Sequence, residues 1–247
     1  FGLDLGQQTE EDLGLVNIIR ERVGVWRKQG YPGVTRITQE LLKHWNDTDK
    51  ERPLFFAQRE AIETAIWLAE GPKNETADIL ARLKSLGNIE KINRLCFKMA
   101  TGTGKTFVMA MLIAWQSLNK FHYRQDKRFS DSFLVVCPNL TVKERLQVLY
   151  PTNPENYYVK FELVPASLLD KLMQAKIFIT NWHIFAPEDE IKNAIKTKEN
   201  KYEESDTAFA SRVLKELGRK ENIVVLNDEA HHCYRCDPEG VRATKRT

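Results

Sequence analysis

What this chain has too little of narrows its class before any motif is read. No long apolar run exists: the longest, Phe107 to Trp115, is nine residues, about half the roughly 20 that a bilayer-crossing helix needs. A membrane-spanning chain is therefore not expected, and neither is a secretory leader at the start. Cysteine is also scarce, with four in 247 residues, too few to staple a chain this long. Cys96 and Cys137 sit in apolar runs where a thiol behaves as a small hydrophobe, so a reduced, cytoplasmic setting is expected. Charge of one sign is lacking as well. The formal net charge is +3, which permits a nucleic-acid partner without arguing for one. Internal repeats and low-complexity tracts are absent, so a globular chain with one sizeable core is expected.

What is present begins with helices. Leu13, Val16, Ile19, Val23 and Trp26 recur at three- and four-residue spacing, predicting a helix over 10–28 that stops at Gly30-Tyr31-Pro32-Gly33. Further helices are predicted over 35–45 and 56–68, with Asn46-Asp47-Thr48-Asp49 as a linker and a stop near Gly71-Pro72. These signals divide the chain into a helical N-terminal segment, 1–50, and a larger domain, 51–247. In the latter, β-rich runs at 94–99, 132–137, 157–163, 176–180 and 222–226 alternate with helical stretches at 105–119, 142–149, 167–174 and 208–217. Such alternation predicts an α/β fold, with a central parallel sheet covered by helices on both faces. The charged stretch 192–205 reads as a surface insertion.

The strongest chemical signal is Met99-Ala100-Thr101-Gly102-Thr103-Gly104-Lys105-Thr106. It follows an apolar strand candidate and opens a helix, the setting a phosphate-binding loop requires. Gly102 and Gly104 allow a tight turn that aims N–H groups at phosphate oxygens, Thr101 and Thr103 of that loop are read as nucleotide-binding with them, and the helix N-terminus adds partial positive charge. Lys105 reaches the β- and γ-phosphates of ATP, and the Thr106 hydroxyl ligates Mg²⁺. Met99 stands where the general pattern has a glycine. After the last strand candidate comes Asn227-Asp228-Glu229-Ala230-His231. There Asp228 suits the Mg²⁺ of Mg-ATP, and Glu229 suits orienting or deprotonating the attacking water. His231-His232-Cys233-Tyr234-Arg235-Cys236 offers only half of a convincing zinc site, so a connecting loop is the favoured reading.

With both motifs in view, residues from about 50 onward resemble the first RecA-like domain of superfamily 2 helicases, and are most similar to the restriction subunits of type III restriction enzymes. The resemblance implies a P-loop NTPase domain whose ATPase drives a motor on DNA, with double-stranded DNA and a modification (methyltransferase) subunit as partners. It makes Gln58, in Arg52-Pro53-Leu54-Phe55-Phe56-Ala57-Gln58, the glutamine that reads the adenine amino edge, with Phe55 or Phe56 either near the base or in the core. It makes Pro138, Asn139 and Thr141, with Thr180 and Asn181, contacts to the backbone of the tracked strand. It further implies a second RecA-like domain. The chain ends 18 residues after Glu229, so that domain is expected outside it, with weak hydrolysis by this piece alone. No nuclease constellation is found. An RNA helicase or remodeller of the same superfamily and a non-motor nucleotide switch remain as alternatives.

Overall fold

The computed structural model describes residues 13–47, 49–86, 95–185, 205–218 and 222–229. The chain divides into two compact units, Phe1–Val108 and Met109–Thr247, each described by itself.

In the first unit, α1 (Gly14–Lys28) buries Ile19, Val23 and Trp26, while Leu13 and Val16 of the same periodic series face solvent. The turn that follows uses positive φ at Gly30, Tyr31 and Gly33, and the Trp26 indole N–H donates to the Pro32 carbonyl at 2.9 Å. At Gly33 a Cβ would stand 3.0 Å from the Glu70 carbonyl, so the close approach itself calls for glycine. Thr35 then caps α2 (Arg36–Trp45), its hydroxyl accepting from the Thr38 N–H at 3.1 Å. Helix α3 (Phe56–Glu70) runs against these two and buries Ile62, Ala65, Ile66 and Trp67.

Two acidic side chains of α3 lie inside. Glu63 is fully buried and receives Arg27 Nε at 2.6 Å and the Tyr31 hydroxyl at 2.8 Å. Glu70 accepts from the Thr35 N–H at 2.8 Å and the Thr38 hydroxyl at 2.7 Å. Helix α4 (Lys73–Leu86) follows directly. The stop predicted near Gly71-Pro72 is where α3 ends, and beyond it the Pro72 carbonyl accepts from the N–H groups of Glu75 and Thr76 and starts a helix that was not predicted. Proline is well suited there, since its missing donor is not needed in a first turn.

In the second unit, β1 (Ser132–Cys137), β2 (Lys176–Asn181) and β3 (Val224–Asn227) form a parallel sheet in the order β2-β1-β3. Every residue of β1 is buried, as expected of a central parallel strand. Phe133 pairs with both Ile177 and Val224, which sets the register. Helix α5 (Lys105–His122) precedes β1. Helices α6 (Leu140–Arg145), α7 (Tyr157–Lys160), α8 (Ala166–Leu172) and α9 (Asp206–Val213) lie between the strands, with 3₁₀ turns at Leu146–Leu149, Trp182–Phe185 and Lys215–Leu217. Val213 and Leu217 pack with Leu134 and Val136 against Phe178, Phe209 and Ile223. Asn222 ties the start of β3 to β1 by donating to the Phe129 carbonyl at 2.8 Å, while its own carbonyl accepts from the Ser130 hydroxyl at 2.6 Å.

Two predicted strands are corrected. The run 157–163 contains the short helix α7 instead, because Asn156 caps it by accepting from the Val159 N–H at 2.9 Å and the Tyr158 hydroxyl donates inward to the Leu149 carbonyl at 2.8 Å. Residues 95–100 have no regular structure, and Leu95, Cys96, Lys98 and Ala100 are exposed. An apolar run becomes a strand only where its N–H and C=O groups enter a ladder, and these residues enter none in the described sheet. Among the described residues no helix is long and apolar enough to cross a membrane.

Candidate functional site

Residues 101–104 turn before α5 begins at Lys105. Gly102 and Gly104 take φ of 81° and 88°, the left-handed region that costs any other residue. Thr103 closes the turn: its N–H and its hydroxyl both donate to the Ala100 carbonyl, at 3.3 and 2.7 Å. The loop leads into an 18-residue helix, whose Phe107 and Val108 N–H groups donate to the Gly104 carbonyl at 2.9 and 3.2 Å. That end carries the helix's positive partial charge, so the backbone fits an anion such as a phosphate.

Gln58 stands against this loop. It is buried in the first turn of α3, and its Oε1 accepts from the Phe55 N–H at 2.9 Å. Phe55 has no side-chain acceptor to return that bond, so only half of a capping box forms. The amide nitrogen is aimed at Gly104: a Cβ built there would collide with Gln58 Nε2. The structure therefore brings together a glutamine and a lysine loop that lie 46 positions apart. Phe55 and Phe56 are 62% and 60% exposed, so neither is core.

The acidic box lies in the second unit, just past β3. The Asp228 N–H donates to the Val136 carbonyl at 2.9 Å, extending the strand pairing by one residue and fixing the carboxylate at the carboxyl end of the sheet. Ligand sites of open α/β sheets lie at this end. Glu229 follows with φ of 59°, a strained conformation for a non-glycine residue and one that concentrates at functional positions. Beneath the box, burial pushes the Cys137 thiol above its ordinary range, with Lys143 pulling it down and Asp228 pushing it further up. Lys143, on α6, thus stands near the same strand end. Spacing alone gave no signal for it, since only the tertiary fold brings it there. His231 and the Cys233–Cys236 pair lie outside the described residues.

The predicted strand-contact residues line the same end of the sheet, because Cys137 and Asn181 are register partners. Pro138 is half-buried, and Asn139 and Thr141 are exposed. Asn139 spends its Oδ1 on the Val142 N–H at 2.9 Å. Thr180 is buried, and its hydroxyl faces the Asn181 carbonyl at 3.4 Å, so Asn181 is the more accessible of that pair.

The donor types suit Mg-ATP. The Thr106 hydroxyl in the first unit and the Asp228 carboxylate in the second are each hard oxygen donors of the type Mg²⁺ prefers.

Residues 38–243 match the family model described as Type III restriction enzyme, res subunit. No curated protein and no solved structure matches the chain. The family model spans most of the 247 residues, and the glycine loop and acidic box both fall within it. The chain belongs to the res-subunit family of type III restriction enzymes, and the matched segment is its helicase-like, RecA-fold ATPase domain.

Proposed function

We propose that this chain is the ATP-binding motor domain of a DNA translocase, in which Mg-ATP hydrolysis is coupled to movement along double-stranded DNA inside a type III-like restriction enzyme. Lys105 and the N–H groups of 102–106 hold the phosphates, Thr106 and Asp228 the Mg²⁺, and Glu229 the attacking water. Gln58 reads the adenine edge. Pro138, Asn139, Thr141, Thr180 and Asn181 contact the DNA backbone, carrying position and no sequence information. Residues 1–50 form a helical segment ahead of the motor domain, 51–247. A modification subunit is the expected partner.

The observation that carries this reading is Gln58 seated on Gly104 of the glycine loop. Gln58 packed against a left-handed glycine at a helix N-terminus supports the reading by setting the adenine-edge candidate beside the phosphate-loop candidate, which neither motif does alone. Calorimetric titration with Mg-ATP tests it. The chain binds saturably, and Lys105→Ala weakens binding at least about tenfold, or about 1.4 kcal/mol. Equal affinity in the two proteins would overturn the assignment. In the full-length enzyme, turnover then rises on adding duplex DNA. Stimulation by single-stranded RNA instead would favour an RNA motor, and turnover flat with either would favour a nucleotide switch.

A further inference from the structure

His122 closes α5, and both of its ring nitrogens are engaged. Nδ1 lies 2.8 Å from the Leu118 carbonyl, one turn back in the helix. Nε2 lies 2.7 Å from the Nζ of Lys171, a residue of α8 that is 49 positions further along the chain. All three residues belong to the second unit and to the stretch 95–185, which is described without a break.

The two partners fix the state of the ring. A carbonyl oxygen only accepts, so Nδ1 carries the proton; an ammonium only donates, so Nε2 presents its lone pair. His122 is therefore neutral in this contact, with its basic nitrogen seated on a lysine. Both side chains are exposed, and an exposed contact of this kind adds little to stability. Its order is what sets it apart. A nucleophilic nitrogen stands within hydrogen-bond reach of a base, and a third group orients the base, which is the arrangement of an activated nucleophile.

The surroundings favour an anionic electrophile. Lys120 of α5 and Arg124, Lys127 and Arg128 of the following turn stand against Asp126 and Asp170. Asp126 is already matched, because Arg128 Nη2 donates to its carboxylate at 2.7 Å. Lys120 Nζ holds the turn in place by donating to the Arg124 and Asp126 carbonyls at 2.8 and 3.1 Å. Positive charge in excess around an exposed amine suits a small anionic acyl donor, an acyl phosphate.

We propose that Lys171 is a site of N-acylation by acyl phosphates, with His122 as its general base. Lys171 first gives one proton to solvent and attacks as the free amine. Its lone pair forms the N–C bond to the acyl carbon, the C–O bond to phosphate breaks, and that electron pair leaves on the phosphate. The proton that the attacking nitrogen sheds passes to His122 Nε2 and on to solvent, while Nδ1–H stays on the Leu118 carbonyl. The product is a neutral amide, so the C-terminal end of α5 loses a cation that its partial negative charge favours. The assignment is independent of nucleotide and of DNA.

Incubation of the chain with acetyl phosphate at mildly alkaline pH, with each lysine followed over time by peptide mass spectrometry, tests it. Lys171 is acetylated roughly tenfold faster than Lys127 and Lys176, exposed lysines of the same unit; a pair open to solvent stays below the ~10²–10⁴ of an enzyme's positioned base. H122Q still accepts a hydrogen bond from Lys171 but takes up no proton, so Lys171 falls to the rate of the other two, whose own rates are unchanged. In urea the three lysines of wild type react alike. Lys171 reacting no faster than Lys127 and Lys176, or keeping its lead in H122Q or in urea, overturns the assignment. Should circular dichroism show H122Q to be unfolded, wild type decides: a lead that urea abolishes sustains the assignment, and a lead that persists overturns it.

Discussion

Gly104 answers to two constraints, and they can be separated. Its φ of 88° costs an L-residue about 1–2 kcal/mol, and any Cβ there meets the Gln58 amide. Gly104→Ala should lower the free energy of unfolding by about 1–3 kcal/mol in urea titration. The double variant Gln58→Ala/Gly104→Ala should cost less than the sum of the two single changes, because the collision is gone and only the strain remains. Strict additivity would mean that the two side chains are not in contact. Cys137 offers a second test at this scale. Burial leads in raising its thiol, and Asp228 adds to the rise. The folded state therefore holds the proton more tightly than the unfolded chain does. This term stabilises the protein fully below the ordinary thiol range and is lost as pH climbs through the raised folded value. At pH 8, iodoacetamide should label the exposed Cys96 and spare Cys137 until urea is added; peptide mapping that finds Cys137 modified first would refute this. Asp228→Asn should shift the alkylation profile of Cys137 to lower pH.

Among the elements, those with a single strong period were legible: α1 to α3, α5 and all three strands of the sheet stand within a few residues of their predicted positions. The failures have local causes that hydropathy does not carry. Asn156 and the inward hydroxyl of Tyr158 make a helix of a run rich in β-formers; α3 does stop at Glu70 as expected, but the α4 that Pro72 then starts was not predicted. The backbone setting of the glycine loop and the acidic box was legible from residue type and spacing: Gly102 and Gly104 turn ahead of α5, and Asp228 follows β3. Lys143 near Cys137 and the seating of Lys171 on His122 were not, since tertiary neighbours create them. The same holds for the charges inside the first unit. Glu63, on the buried face of α3, binds Arg27 of α1, with Tyr31 and Asn46 completing its bonds. The Tyr31 phenol is pushed far above its ordinary value, first by burial and then by the Glu63 charge. Removing one partner of a buried pair strands the other. Arg27 keeps some solvent exposure, so the cost of Glu63→Leu should fall near the lower end of the range, about 3 kcal/mol. Chemical denaturation reads it, and a loss below about 1 kcal/mol would show the pair to be no more than a surface contact.

For the molecule as a whole, the question is whether nucleotide binding and folding are linked. A ligand that binds only the native state stabilises it by mass action, by about 2.7 kcal/mol at one hundred times its dissociation constant. For a chain of 247 residues that corresponds to a rise in Tm of roughly 5–10 °C if unfolding is cooperative. The phosphate loop belongs to the first compact unit and the acidic box to the second, so the pattern of loss on mutation is informative. Lys105→Ala removes the proposed phosphate contact and should abolish the rise. Asp228→Asn removes a carboxylate suited to the metal, and should abolish only the part of the rise that Mg²⁺ adds over EDTA. Scanning calorimetry of the three proteins, with ATP in Mg²⁺ and in EDTA, measures both parts. If Asp228→Asn lowered the rise equally in Mg²⁺ and EDTA, Asp228 would be supporting the fold and not the metal. If wild type showed no rise at saturating Mg-ATP, the glycine loop would not be a nucleotide site in this chain.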